Sequence, residues 1–172
     1  DLGDALGKLS TRTGVAQDAL IGMRNAAALS DVSNESLAKS LAKLNVNLVE
    51  AVEGNATLQS AFKRLGVDIK GADGQVISTE QAMKRLADRF ADMPDGVQKT
   101  AAAVAVFGRS GADLIPLLNG GAEAMDKFTY KVSNDFSARS ELFNDTMTIL
   151  GFKAQGFGLE LTDALLPALQ SI

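Results

Sequence analysis

Cysteine, histidine and tryptophan are absent from the 172 residues, and there are only one tyrosine and three prolines. Each absence removes chemistry. No disulfide framework can form, and a zinc site would have to be built from carboxylates alone. Triads that use histidine, thiol nucleophiles, haem ligation by histidine and iron–sulfur clusters are excluded together. Carboxylate, lysine or hydroxyl chemistry is what an enzyme would have left. Without cysteine the redox compartment leaves no trace in the composition. Long apolar runs are also missing: the longest, Ala101 to Phe107, is far short of the roughly 18 to 20 residues of a membrane-spanning helix.

What is present favours helices. The chain is 46% hydrophobic but only 5% aromatic, rich in alanine and leucine, and long enough for one domain with a real core or two small ones. Seventeen basic against 21 acidic side chains leave a net charge of −4. The basic residues are scattered singly, so the sequence shows no stripe that would neutralise phosphates, and sequence-specific nucleic-acid binding is not expected. The start at Asp1, without methionine or a leader, suggests a piece of a longer polypeptide.

Periodicity and punctuation divide the chain into helices. Val15, Ala19, Met23, Ala26 and Ala27 share a face of a helix running to Leu29, after the break at Thr13 and Gly14. Ser33 is a suitable N-cap for a helix through Leu37, Leu41, Leu44, Leu48 and Val52, ended by Gly54. A shorter helix from Ala56 to Leu65 follows, with Gly66 at the expected terminating position. The period then changes. Val67, Ile69, Val76 and Ile77 around Gly71 to Gly74 read as a small β-hairpin or a structured loop. Ser78 and Gln81 form a capping box before Met83, Leu86, Ala87, Phe90 and Met93. Pro94 and Asp95 suit the first turn of a helix that ends at Gly108. Pro116 begins or kinks a short stretch from Asp113 to Leu118, Gly120 and Gly121 form a hinge, and a helix from Ala122 to Val132 is expected next. Ser137 caps a long final helix from Ala138 to near Gln170, in which Phe143, Met147, Leu150, Phe157, Leu161 and Leu165 keep one apolar seam.

The expected fold is therefore mainly α: a cluster of short helices with one small hairpin or structured loop, then a long C-terminal amphipathic helix. Residues 1–134 form the compact cluster, with the hairpin near 67–77. Residues 137–172 form the long helix, the start of a rod or coiled-coil segment. The seam has two readings, as cover for this domain's own core or as an association surface with copies of itself.

Candidate chemical sites are thin. Ile69 to Glu80 imitates the second half of an EF-hand loop, since Asp73, Gly74, Val76 and Glu80 fall on its fifth, sixth, eighth and twelfth positions. Ile69 and Gly71 stand where the first and third oxygen ligands belong, so a plain turn before a capped helix is favoured over a calcium-responsive module. Gly3 to Leu9 imitates a phosphate loop with one residue too few between the glycines, and reads better as helix. Gly108 to Gly111 could offer backbone amides to an anion, but a helix terminus followed by a turn explains it equally. Glu50 with Glu53 and Asp88 with Asp92 are acidic pairs at helical spacing, which are ordinarily solvated rather than catalytic; a carboxylate hydrolase would need them in a cleft. No catalytic residue, cofactor or metal site is assigned, and no enzyme activity is expected.

Several stretches taken in order resemble the phage tail tape measure family. They are LSTRTGVAQDALIGMRNAAAL from Leu9 to Leu29, Asp31 to Leu48, FKRLGVDIKGADGQVISTEQAM from Phe62 to Met83, and MPDG from Met93 to Gly96. The most specific piece is FGRSGADLIPLL from Phe107 to Leu118; FND at Phe143 to Asp145 and LLPAL at Leu165 to Leu169 close the pattern. The resemblance implies a structural virion protein: several copies extended in the tail tube, setting tail length during assembly in the host cytoplasm and leaving before DNA ejection. The partners it implies are copies of itself, the tail tube protein, tail hub or distal tail proteins and tail assembly chaperones. The glycine and proline breaks before Asn134 depart from a simple helical ruler, and suit a segment that anchors the chain at a tail end or engages the hub or tube.

Overall fold

The computed structural model describes residues 2–129, and their fold is mainly α: eight α-helices and one 3-10 helix, with no strand among the described residues. The order is α1 (Leu2–Thr13), α2 (Gln17–Leu29), α3 (Asn34–Val52), α4 (Ala56–Arg64), α5 (Thr79–Asp92), α6 (Val97–Phe107), the 3-10 helix (Arg109–Leu114), α7 (Ile115–Leu118) and α8 (Gly121–Asp126). The expected long helix over residues 137–172 and its seam, Phe143, Met147, Leu150, Phe157, Leu161 and Leu165, lie outside the described residues.

Local chemistry sets most of the boundaries. Ser33 and Asn55 cap α3 and α4 by accepting from the N–H groups of Ser36 and Leu58, and Ser78 with Gln81 completes the capping box of α5 in both directions. Gly66 and Gly108 take left-handed backbone, φ 67° and 79°, just past α4 and α6. The proline expectation needs correction. Pro94 does not enter α6, whose N-cap is Gly96; its effect is on Met93, which it holds extended at φ −82° and ψ 137°, so that α5 stops. Pro116 does lie in the first turn of α7. The expected helix from Ala122 to Val132 starts at Gly121 and stops at Asp126, where Thr129 bonds back through its N–H to the Asp126 carbonyl and through its hydroxyl to that of Met125.

Of the two readings of 67–77, the loop is found. Its pairing is one antiparallel bridge between Lys70 and Val76, and the turn is closed by Gly71 N–H on the Gln75 carbonyl at 2.8 Å. Asp68 and Asp73 consolidate it by accepting from the N–H groups of Lys70 and Gln75.

The core is centred on α3, which packs against α1, α2, α4, α5, α6 and the 3-10 helix. Leu37, Leu41, Leu44 and Leu48 are buried as the spacing requires, but the next buried position is Ala51, and Val52 is half-buried. A three-residue step keeps the stripe facing the core where a four-residue step would rotate it away. Phe62, Phe90 and Phe107 are fully buried, and the last two rings meet at 6.3 Å with planes tilted by 50°. Each such side chain contributes roughly 1.5 to 3 kcal/mol by leaving water. Gly111 lets the 3-10 helix lie on the backbone of α6: a Cβ there would stand 2.3 Å from the Ala103 carbonyl oxygen.

Candidate interaction surfaces

The near-motifs of the sequence are used for folding. In the calcium-like stretch, Asp73 accepts from the Gln75 N–H, and the Glu80 carboxylate is paired with Lys84 at 2.9 Å. Among the described residues no group of three or more acidic side chains is placed to hold a metal ion. Gly3 to Leu9 lies inside α1, and Gly108 to Gly111 leads from α6 into the 3-10 helix. The acidic pairs separate in role. Glu50 accepts from the Asn55 side chain at the end of α3, while Asp88 accepts from the Ala122 N–H at 2.8 Å and so fixes the start of α8.

Two lysines make structural ion pairs. Lys84 reaches both Glu80, within α5, and Asp126, at the end of α8, at 2.7 Å to the latter; the Asp126 hydrogen bond is the main reason its ammonium titrates above the usual lysine range. Lys99 is only 2% exposed, although α6 gave no sequence sign of a buried charge. Its ammonium donates to the Met93 carbonyl at 2.9 Å and to Asp95 at 3.0 Å. A cation is favourable there because Met93 closes the C-terminal end of α5, where carbonyl groups lack partners. Elsewhere, burial pulls the Arg24 guanidinium below its ordinary value, and a hydrogen bond from Lys39 draws the Glu35 carboxyl down.

Two surfaces are open to a partner. The first is the outer side of α6, where Val97, Thr100, Ala101, Val104 and Ala105 line a shallow apolar depression and Val97 is 87% exposed. Since Ala103, Val106 and Phe107 are buried on the opposite side, α6 is apolar nearly all round, which is the signature of a helix covered on both faces. That signal was present in Ala101 to Phe107, the longest apolar run of the sequence. The second is a groove of about 540 Å³ between α4 and the following loop, lined by Phe62, Lys63, Val67, Asp68, Ile69 and Lys70 among others. Its cations, Lys63 and Lys70, lie on different elements and are brought to one groove by the fold.

Neither surface arranges a nucleophile, base and oxyanion donor around a common point, so what they offer is shape, apolar area and charge. Among the described residues no helix is long and apolar enough to cross a membrane. Residues 3–108, more than half of the chain, match the family model described as phage-related minor tail protein. No curated protein and no solved structure matches.

Proposed function

The chain belongs to the phage-related minor tail protein family, and from that premise we propose that it is a segment of a tail tape measure protein. It is a phage tail protein, with a structural role in the virion tail. In the finer reading the chain lies in several copies in the lumen of the tail tube, contributes to setting tail length during assembly, and leaves when DNA is ejected. It works by occupying space and docking, without catalysis. Its contacts are with its own copies, the tube and hub proteins and the assembly chaperones.

The observation that supports this reading most is the ordered resemblance, and above all the stretch Phe107 to Leu118. In the fold this stretch is the corner where α6, the 3-10 helix and α7 meet, with Phe107, Gly111, Leu114, Leu117 and Leu118 all buried. The buried positions of this stretch are therefore set by packing in this fold, and the reading rests on their matching the order expected in the family.

Two roles divide along the chain. The residues up to Thr129 form a packed cluster, suited to anchoring or docking. Residues 137–172 carry the regular seam suited to a rod. A helical rod changes length by about 1.5 Å per residue. In-frame duplication of residues 137–172 in the phage that encodes the chain, with tails measured by electron microscopy, is the direct test. Tails longer by about 1.5 Å per added residue support a measuring role. Normal length in viable particles overturns it for this segment.

A further inference from the structure

We propose that the groove between α4 and the loop Val67–Lys70 docks an acidic segment of a partner protein, one that inserts an apolar side chain and flanks it with carboxylates. The groove's apolar surface is that of half-buried Ile69 and the aliphatic stems of exposed Lys63 and Lys70, over buried Ala51, Phe62 and Val67, and its charge is that of the two lysines. The groove's one carboxylate, Asp68, is turned to the Lys70 N–H at 3.0 Å.

Further cations stand beside it. Arg85 and Arg89, on successive turns of α5, donate to the carbonyl oxygens of Asp68 and Leu65 at 2.7 and 2.6 Å. Each uses one donor to hold the loop and keeps the rest of its guanidinium fork. Arg89 lies against Gly66, itself a groove residue: a Cβ on Gly66 would be 3.6 Å from its Nε. None of Lys63, Lys70, Arg85 and Arg89 makes an ion pair among the described residues, although the chain as a whole has more acidic than basic side chains. Unpaired cations gathered around a groove create a local positive field that favours a negative partner.

The groove suits a polypeptide better than a nucleic acid. A phosphate backbone has no side chain to fill the apolar part, and Phe62, the groove's aromatic residue, is 1% exposed and so offers no ring for base stacking. This inference stands on the chemistry of the groove, and it can fail while the measuring role holds, or hold while that role fails.

The test is fluorescence anisotropy of a labelled synthetic peptide of Glu-Ala-Leu-Glu repeats titrated with the full chain, against polyglutamate and duplex DNA of mixed sequence. Saturable, salt-sensitive binding of the leucine-containing acidic peptide is expected, weakened about tenfold by Lys63→Glu combined with Lys70→Glu. Both side chains are exposed and free of ion pairs, so the double variant should keep the parental circular dichroism. The proposal is overturned by unchanged affinity in that variant, by absence of saturable binding, or by polyglutamate or DNA binding as tightly as the peptide.

Discussion

The side chain of Asn47 in α3 donates a buried hydrogen bond, 3.0 Å long, to the carbonyl oxygen of Val106 near the end of α6. A helix leaves its last four carbonyls without internal partners, and Val106 belongs to that set. The central helix therefore supplies a donor at the point where α6 breaks into the 3-10 helix. Asn47→Leu keeps the volume and removes the donor. The expected loss is about 1 to 3 kcal/mol, the cost of a buried polar group left unpaired, read from urea unfolding.

Glycine substitutions should separate by environment. Gly111→Ala drives a methyl into the Ala103 carbonyl, and should cost about 1 to 3 kcal/mol or prevent folding. Gly7→Ala, inside α1 with its nearest neighbour at 3.8 Å, should stabilise by about 0.5 to 1 kcal/mol through helix propensity. Thermal melts of the two variants should move in opposite directions.

The Lys84 pair gives stability a dependence on high pH. Its ammonium titrates above the ordinary value of 10.5, chiefly through Asp126, so the folded state holds this proton more tightly than the unfolded chain does. The contribution is complete below the unfolded value and is lost as pH rises through the higher folded value. Lys84→Met should be less stable than the parent by a constant amount at neutral pH. The difference should shrink once pH passes 10.5. A gap that persists unchanged at still higher pH would mean that packing, not charge, joins α5 to α8.

For the seam, Phe157→Asp with Leu161→Asp should abolish oligomers of the purified chain, as read by light scattering during gel filtration. A monomeric parent chain would remove the self-association reading in free solution. Oligomers that survive the double substitution would place the contact elsewhere, with the outer side of α6 the first surface to test through Val97→Glu and Val104→Glu.

Much of the fold was legible in the chain because its punctuation acts over one helical turn. Ser33, Ser78 with Gln81, Gly66 and Gly108 end or begin helices through bonds to neighbours within four residues, whatever lies farther off. The apolar faces of α3 and α5 followed from spacing for the same reason. Pro94 was misjudged because the same residue can open a helix or hold its predecessor extended, and Gly96 supplied the start instead. Of the two open surfaces, the apolar run on α6 was visible but had no direction until one side was packed.

The sequence by itself determined that this chain is helical, where most of its helices begin and end, and which chemistry it lacks, because composition and capping need no knowledge of distant residues. Only the tertiary structure decided that Lys99 is buried at the end of α5, that Asn47 serves α6, and that Lys63, Lys70, Arg85 and Arg89 gather at one loop. Those relationships join residues from different helices. They depend on how ridges and grooves pack, and no local period encodes that.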